Sequence, residues 1–162
     1  MRTFLRYFVV VAVVVYLHQA VLPRFLPGGA VPDLTLASVV YIALAVGGVP
    51  AIIAGFLLGL AADLFGWGPL GLNAFVATIA AFAVGRLRGQ IYENSLLFPA
   101  FFAVVAFLAR EVLAFVLSAV FAGPLSFGWR VVGQLALGAA VTGAASFPLS
   151  FIYWRVLPVR QA

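Results

Sequence analysis

Cysteine and lysine are both missing from this 162-residue chain, which has one histidine and one methionine. Without cysteine there can be no disulfide and no thiolate metal site, and a single histidine cannot build an imidazole metal centre. We therefore expect neither a metal nor a cofactor. Charge is scarce as well, since charged residues make up 8% of the chain and all nine basic residues are arginine. No basic cluster is dense enough for a nucleic-acid footprint, so nucleic acid is not an expected partner.

Apolar residues, in contrast, make up 66% of the chain. A soluble domain of this size could not cover so much apolar surface, so we predict an all-α integral membrane protein with a single transmembrane domain over residues 1–162. Every long stretch is hydrophobic, which leaves no room for a soluble catalytic domain. Residues 66–71 fit the dinucleotide pattern G-x-G-x-x-G, but they follow a hydrophobic helix instead of a strand. We predict that the protein is not an enzyme.

About six transmembrane helices follow from the hydrophobic runs and the Pro/Gly breaks between them. They are predicted at residues 4–22, 33–47, 49–64, 71–85, 95–122 and 128–157. The first is long enough to span a bilayer, and no small-x-small cleavage site follows it before Pro23, so it is interpreted as a retained helix. Asp33 suits the N-cap of the second, and Pro50 suits the first turn of the third. The second, third and fourth are short, so they either span a thinned bilayer, or the second and third form a re-entrant hairpin.

The arginines predict the orientation of the chain. In a six-helix arrangement only Arg24 and Arg130 fall on one side of the membrane. The other side carries Arg2, Arg6, Arg86, Arg88, Arg155 and Arg160. Cytoplasmic loops carry an excess of arginine and lysine, so both termini are predicted to be cytoplasmic. A re-entrant hairpin would remove two crossings together and leave this orientation unchanged.

A stripe of small residues that ends in a carboxylate is the most informative local feature. Ala51, Gly55, Gly59 and Asp63 are spaced four apart, so they lie along one face of the third predicted helix. Small-xxx-small faces let helix backbones approach closely. The face either packs inside the fold, which is the favoured interpretation, or receives a second protein. Asp63 lies at the helix C-terminus, where the dipole disfavours an anion, so it should find donors in the following turn, in Asn73 or in an arginine.

A second polar feature, Arg110 and Glu111, lies near the middle of the fifth predicted helix. Adjacent helical residues point about 100° apart, so the two side chains are not expected simply to pair with each other. Charges inside a membrane span usually face protein or a cavity. Three alternatives remain open, namely an internal hydrogen-bonding network, a partner site and a polar cavity for a ligand. In the sixth predicted helix, Gly138, Thr142 and Ser146 make a further small stripe that favours packing.

Three motifs together point to a family. They are Pro32-Asp33-Leu34, then Gly55-Phe56-x-x-Gly59-Leu60-x-x-Asp63, and then Pro69-Leu70-Gly71-Leu72-Asn73. In order and spacing they resemble the rod shape-determining protein MreD family, whose members are small proteins of the bacterial cytoplasmic (inner) membrane with about this length and helix count. The resemblance implies a multi-pass component of the elongasome, which directs lateral peptidoglycan synthesis. It also implies a fold similar to the S-components of vitamin transporters.

The resemblance implies partners too. MreC is the expected main partner, with MreB, RodA and a class B penicillin-binding protein nearby and membrane lipids around the chain, and a homodimer is left open. The main hypothesis is a non-enzymatic scaffold whose packing or partner residues are Ala51, Gly55, Gly59, Asp63, Pro69, Gly71 and Asn73. The alternative is a small-molecule binder of the S-component type, in which Arg110, Glu111 and Asn73 line a cavity.

Overall fold

The described part of the structure, a computed structural model, comprises residue 13 and residues 32–66, 69–87, 97–122 and 129–156. Five helices make up its secondary structure: α1 (Leu34–Val46), α2 (Gly48–Phe65), α3 (Leu72–Leu87), α4 (Leu97–Ala122) and α5 (Trp129–Val156). They confirm the all-α class and correspond to the second to sixth predicted helices, with ends that agree within two residues. The first predicted helix, residues 4–22, lies outside the described residues except for Val13, which is helical.

Local signals in the sequence set both ends of α1. The Asp33 side chain accepts a 2.9 Å hydrogen bond from the Leu36 backbone N–H, which confirms the predicted N-cap. At the other end Gly47 and Gly48 have φ of 66° and 59°, in the left-handed region that glycine adopts without a steric penalty. The helix stops there, and α2 begins at Gly48.

The core of the described structure lies around α1. This helix packs against all four of the other helices, and Ala37, Val40 and Ala43 are fully buried. Its sequence, LTLASVVYIALAV, has no charged residue, and its polar residues Thr35, Ser38 and Tyr41 are buried as well. A helix without a charged or solvent-facing side is stable when neighbours surround it, which explains why α1 occupies the centre.

Three helices are long and apolar enough to cross a membrane, over Gly48–Phe65, Leu97–Val120 and Val132–Leu149. Together with the shorter apolar helices α1 and α3, they indicate a membrane protein. At about 1.5 Å per residue, the 13 residues of α1 cover only about 20 Å of a core about 30 Å thick, whereas the 26 residues of α4 cover about 39 Å.

The difference in length produces a step in the fold. The N-terminus of α1 lies beside the middle of α4 and α5, because Asp33 contacts both Arg110 and Thr142. The C-terminal half of α4 and the N-terminal half of α5 therefore extend beyond the start of α1. We call this extension, residues 111–120 of α4 and 132–140 of α5, the distal hairpin.

Candidate functional site

The small-residue stripe of α2 packs against α3. Ala51, Gly55 and Gly59 are buried, and a methyl group built on Gly59 would lie 2.5 Å from the Ala74 Cα. A methyl group on Gly55 would lie 2.8 Å from the Ala77 carbonyl oxygen. The two backbones are therefore so close that only hydrogen fits between them. The stripe belongs to the interior of the chain, and the alternative in which it receives a second protein does not fit this geometry.

Asp63, at the end of the stripe, caps the start of α3. Its carboxylate accepts hydrogen bonds from the backbone N–H groups of Gly71, Asn73 and Ala74, each at 3.0 Å. The Asn73 side-chain amide donates a fourth, at 2.9 Å. Unpaired N–H groups and the positive end of the helix dipole make a helix N-terminus a good anion site. The prediction that Asp63 finds donors in the following turn and in Asn73 is confirmed.

Arg110 connects this cap to α1. Its Nε donates to the Asn73 Oδ1 at 2.8 Å, and its Nη1 lies 3.7 Å from the Asp33 Oδ2. Cβ atoms tilt towards the helix N-terminus, so the Arg110 side chain reaches back along α4 to the level where α1 and α3 begin. Of the three alternatives for this residue, the internal network is the one that these contacts describe.

The expectation that Arg110 and Glu111 do not pair with each other was wrong. Arg110 Nη1 donates to Glu111 Oε1 at 2.7 Å. The angle of about 100° between neighbouring positions applies to the Cα–Cβ directions. Beyond Cβ, both side chains have several rotatable bonds and curve towards each other. Glu111 therefore joins the network through Arg110.

Thr142 ties α5 to the same network. Its Oγ1 accepts from the Asp33 backbone N–H at 3.0 Å, and its carbonyl accepts from the Ser146 hydroxyl at 2.9 Å. About two turns further along α1, the Tyr41 hydroxyl donates to the Ser146 carbonyl at 2.7 Å. Sequence reasoning identified Thr142 and Ser146 as small residues for packing and missed their link to α1. The available signal was a pair of hydroxyl side chains four residues apart in an apolar helix. That spacing does not indicate which helix the hydroxyls contact.

The resulting set of polar side chains joins all five helices, and we call it the polar layer. Its members are Asp33, Asp63, Asn73, Arg110, Glu111 and Thr142. It has a buried and an accessible end, because the Asp33 side chain is 4% exposed while those of Arg110 and Glu111 are 29% and 30% exposed. The two buried carboxylates each receive backbone donors from a helix N-terminus, which offsets their desolvation.

The turn between α2 and α3 remains at the surface. Pro69, Leu70 and Gly71 are exposed, and Gly71 has a φ of 92°. Open space surrounds the position of a Gly71 Cβ, so the backbone conformation requires glycine there and packing does not. Among the residues predicted to serve packing or partner binding, the stripe and Asp63 are therefore inside the fold. The turn with Pro69 and Gly71 is accessible at the surface.

Comparison with known proteins agrees with the motifs. Residues 1–153 match the family model described as rod shape-determining protein MreD. The chain belongs to the MreD family. Neither the curated proteins nor the solved structures gave a match. Membership assigns the protein a role in rod shape determination within a family of structural membrane proteins. Among the described residues, no group of three or more histidine, cysteine, aspartate or glutamate side chains is placed to hold a metal ion.

Proposed function

We propose that this protein is a non-enzymatic membrane scaffold of the elongasome. In this proposal it binds MreC and helps to organise lateral peptidoglycan synthesis, with MreB, RodA and a class B penicillin-binding protein nearby. Membership of the MreD family over residues 1–153 is the observation that carries the proposal. The polar layer supports it, because side-chain bonds between α1, α3 and α4 hold helices in one arrangement, as a scaffold requires.

The proposed topology is six spans in the bacterial cytoplasmic (inner) membrane with both termini in the cytoplasm. It places the α2–α3 turn and the α4–α5 connection on the periplasmic side. Three long apolar helices support the membrane location, and the excess of arginine on the opposite side of the membrane supports the orientation. Reporter fusions at Leu70 and at the C-terminus test it. A periplasmic signal from the C-terminal fusion would overturn the orientation.

Co-expression with MreC tests the scaffold proposal directly. Affinity-tagged chain, extracted in mild detergent, should retain MreC at a fixed molar ratio. An unrelated protein with one membrane-spanning helix, expressed at the same level, is the control. Equal retention of MreC and of this control would reject MreC as the partner. In a rod-shaped host without its own family member, the chain should restore cell width, and continued rounding despite normal membrane levels would count against the role in lateral synthesis.

A second candidate is a small-molecule binder of the vitamin-transporter S-component type. The observation that favours it is that Arg110, Glu111 and Asn73 meet at the accessible end of the polar layer. Native mass spectrometry of gently extracted protein separates the candidates. A vitamin or lipid-linked precursor bound at a fixed molar ratio would overturn the pure scaffold proposal. A mass equal to that of the chain plus MreC, with no small molecule, would support the scaffold proposal.

A further inference from the structure

The ion pair at the accessible end of the polar layer has an unmatched atom on each of its two side chains. Arg110 donates from Nε to Asn73 and from Nη1 to Glu111. Nη1 also lies 3.7 Å from the Asp33 carboxylate. The other terminal nitrogen, Nη2, has two N–H groups and no hydrogen bond or ion pair within the described part of the structure. Glu111 accepts through Oε1, and its Oε2 has no partner there either.

Both unmatched atoms are accessible at the surface of the chain. Within the described residues, the Thr35 hydroxyl is the one buried side-chain donor or acceptor without a partner. Nη2 of Arg110 and Oε2 of Glu111 are therefore not buried, in agreement with side chains that are 29% and 30% exposed. A charged group that faces hydrocarbon is costly, so a polar neighbour beside these two atoms would stabilise the protein in a membrane.

The height of the pair along the bundle indicates which polar groups can reach it. Arg110 lies about 20 Å along α4 from Leu97, and its contacts with Asn73 and Asp33 place the starts of α3 and α1 at the same level. With 16 and 13 residues, α3 and α1 are about 24 and 20 Å long, which is shorter than a hydrocarbon core of about 30 Å. A bilayer accommodates short helices by local thinning. Thinning brings the headgroups of the leaflet on the side of the distal hairpin down to the pair.

The chemistry of the two unmatched atoms selects the kind of headgroup. Nη2 offers N–H donors that suit a phosphate oxygen, and Oε2 offers an acceptor that suits an ammonium N–H. Arg110 and Glu111 together have no net charge, so a group that carries both signs can pair with each. Phosphatidylethanolamine carries a phosphate and a primary ammonium joined by a short link. The nitrogen of phosphatidylcholine has the same charge and no N–H, and phosphatidylglycerol has no ammonium.

We propose that Arg110 and Glu111 form a binding site for the headgroup of phosphatidylethanolamine. The phosphate accepts from Nη2 of Arg110, and the ammonium donates to Oε2 of Glu111. The acyl chains run along α4 away from the distal hairpin, where Leu108 and Phe101 are 39% and 62% exposed. Leu108 lies three positions before Glu111, so the two are neighbours on the helix surface. This inference goes beyond the proposed scaffold function and does not depend on it.

Native mass spectrometry of the full chain, purified in mild detergent without MreC, tests the headgroup preference. The chain is titrated with dioleoyl phosphatidylethanolamine, dioleoyl phosphatidylcholine or dioleoyl phosphatidylglycerol, and the adduct with one lipid is measured. One charge-assisted hydrogen bond should make the affinity for phosphatidylethanolamine about tenfold higher than that for phosphatidylcholine. Equal affinities, which a site filled by water would give, would overturn the proposal. Equal or tighter binding of phosphatidylglycerol would overturn it as well.

Soluble glycerophosphoethanolamine separates a lipid from a free zwitterion with the same chemistry. Offered at the same concentration, it should bind more weakly than the lipid, because it has no acyl chains to pack along α4. Equal binding of the soluble compound would overturn the assignment to a lipid.

Two glutamine variants test whether the preference belongs to this pair. Glu111→Gln keeps the shape of the side chain and removes the anion, so the preference for phosphatidylethanolamine over phosphatidylcholine should fall towards one. Arg86→Gln is the matched control, because it removes one charge from an exposed side chain at the other end of α3 and should keep the preference. An unchanged preference in Glu111→Gln, or an equal loss in both variants, would overturn the site. The wild-type preference tests the proposal even if a variant fails to fold.

Retention of MreC, measured separately, distinguishes this proposal from the scaffold function. A chain that retains MreC and shows no lipid preference would overturn the headgroup site alone. A chain that prefers phosphatidylethanolamine and retains no MreC would overturn the scaffold proposal alone.

Discussion

Replacement of Gly59 by alanine should destabilise the fold through a close contact between two backbones. The added Cβ would lie 2.5 Å from the Ala74 Cα and 2.6 Å from the Ala74 nitrogen. Carbon atoms in contact settle at about 3.5–4.0 Å, so α2 and α3 must separate by about 1 Å. Neither neighbour is the end of a flexible side chain, so no rotamer change can relieve the clash.

Separation of the helices also weakens the cap on α3. The Asp63 carboxylate holds the Gly71 and Ala74 N–H groups at 3.0 Å, and about 1 Å more would exceed hydrogen-bonding distance. Overpacking alone costs about 1–3 kcal/mol, and loss of bonds to a buried carboxylate adds to it. We expect Gly59→Ala to lower the free energy of unfolding by about 3 kcal/mol. For Gly55→Ala the nearest atom is 2.8 Å away, so the loss should be smaller.

Gly133→Ala provides the matched control, because it is the same substitution in an exposed helical position with no atom within 4 Å of the new methyl group. Alanine is favoured over glycine in helices by up to about 1 kcal/mol, so this variant should be neutral or slightly stabilised. The free energy of unfolding is measured by titration with sodium dodecyl sulfate in mixed micelles, followed by far-ultraviolet circular dichroism. Equal values for Gly59→Ala and Gly133→Ala would refute the close approach of α2 and α3.

Three further substitutions test individual bonds of the polar network by the same unfolding measurement. Asp63→Asn should cost about 2–3 kcal/mol, because an NH₂ group replaces one of the two oxygens that accept backbone bonds, and an unchanged free energy of unfolding would argue against the cap. Thr142→Val keeps the side-chain shape and removes an acceptor of the Asp33 N–H, so a loss of about 1–2 kcal/mol is expected, and a stabilised variant would contradict the bond. Tyr41→Phe keeps the ring and should cost about 1 kcal/mol through loss of the bond to the Ser146 carbonyl, and an unchanged free energy of unfolding would contradict a contribution of that bond.

Much of the helical framework could be predicted because its signals are local. The cap at Asp33, the left-handed glycines after α1 and the hydrophobic runs each act within a few residues of the chain. Asp63 was predictable for the same reason, since its donors come from the turn that follows it. Motif order and spacing over residues 32–73 were sufficient to indicate the MreD family, which the match over residues 1–153 then established.

The polar layer could be predicted only in part. Arg110 stood out as a charge in an apolar helix, but its neighbours Asn73 and Asp33 lie 37 and 77 positions earlier in the sequence. The residue pattern along one helix does not indicate which neighbouring helix a side chain contacts. It also does not indicate at which level along that neighbour the contact occurs. The error over Arg110 and Glu111 had a related cause, because Cβ directions do not describe where a long side chain ends.

The amino-acid sequence by itself determined that the chain is a set of apolar membrane helices, where most of them begin and end, and which family it belongs to. Composition, capping and glycine breaks act through local chemistry and need no tertiary contact. Tertiary structure alone decided that the glycine stripe faces inward, that Arg110 joins Asp33, Asn73 and Glu111, and that the distal hairpin extends beyond the start of α1. The physical reason is that helix register and pairing arise from close packing between distant segments, and these fix which side chains meet and which charge is left accessible.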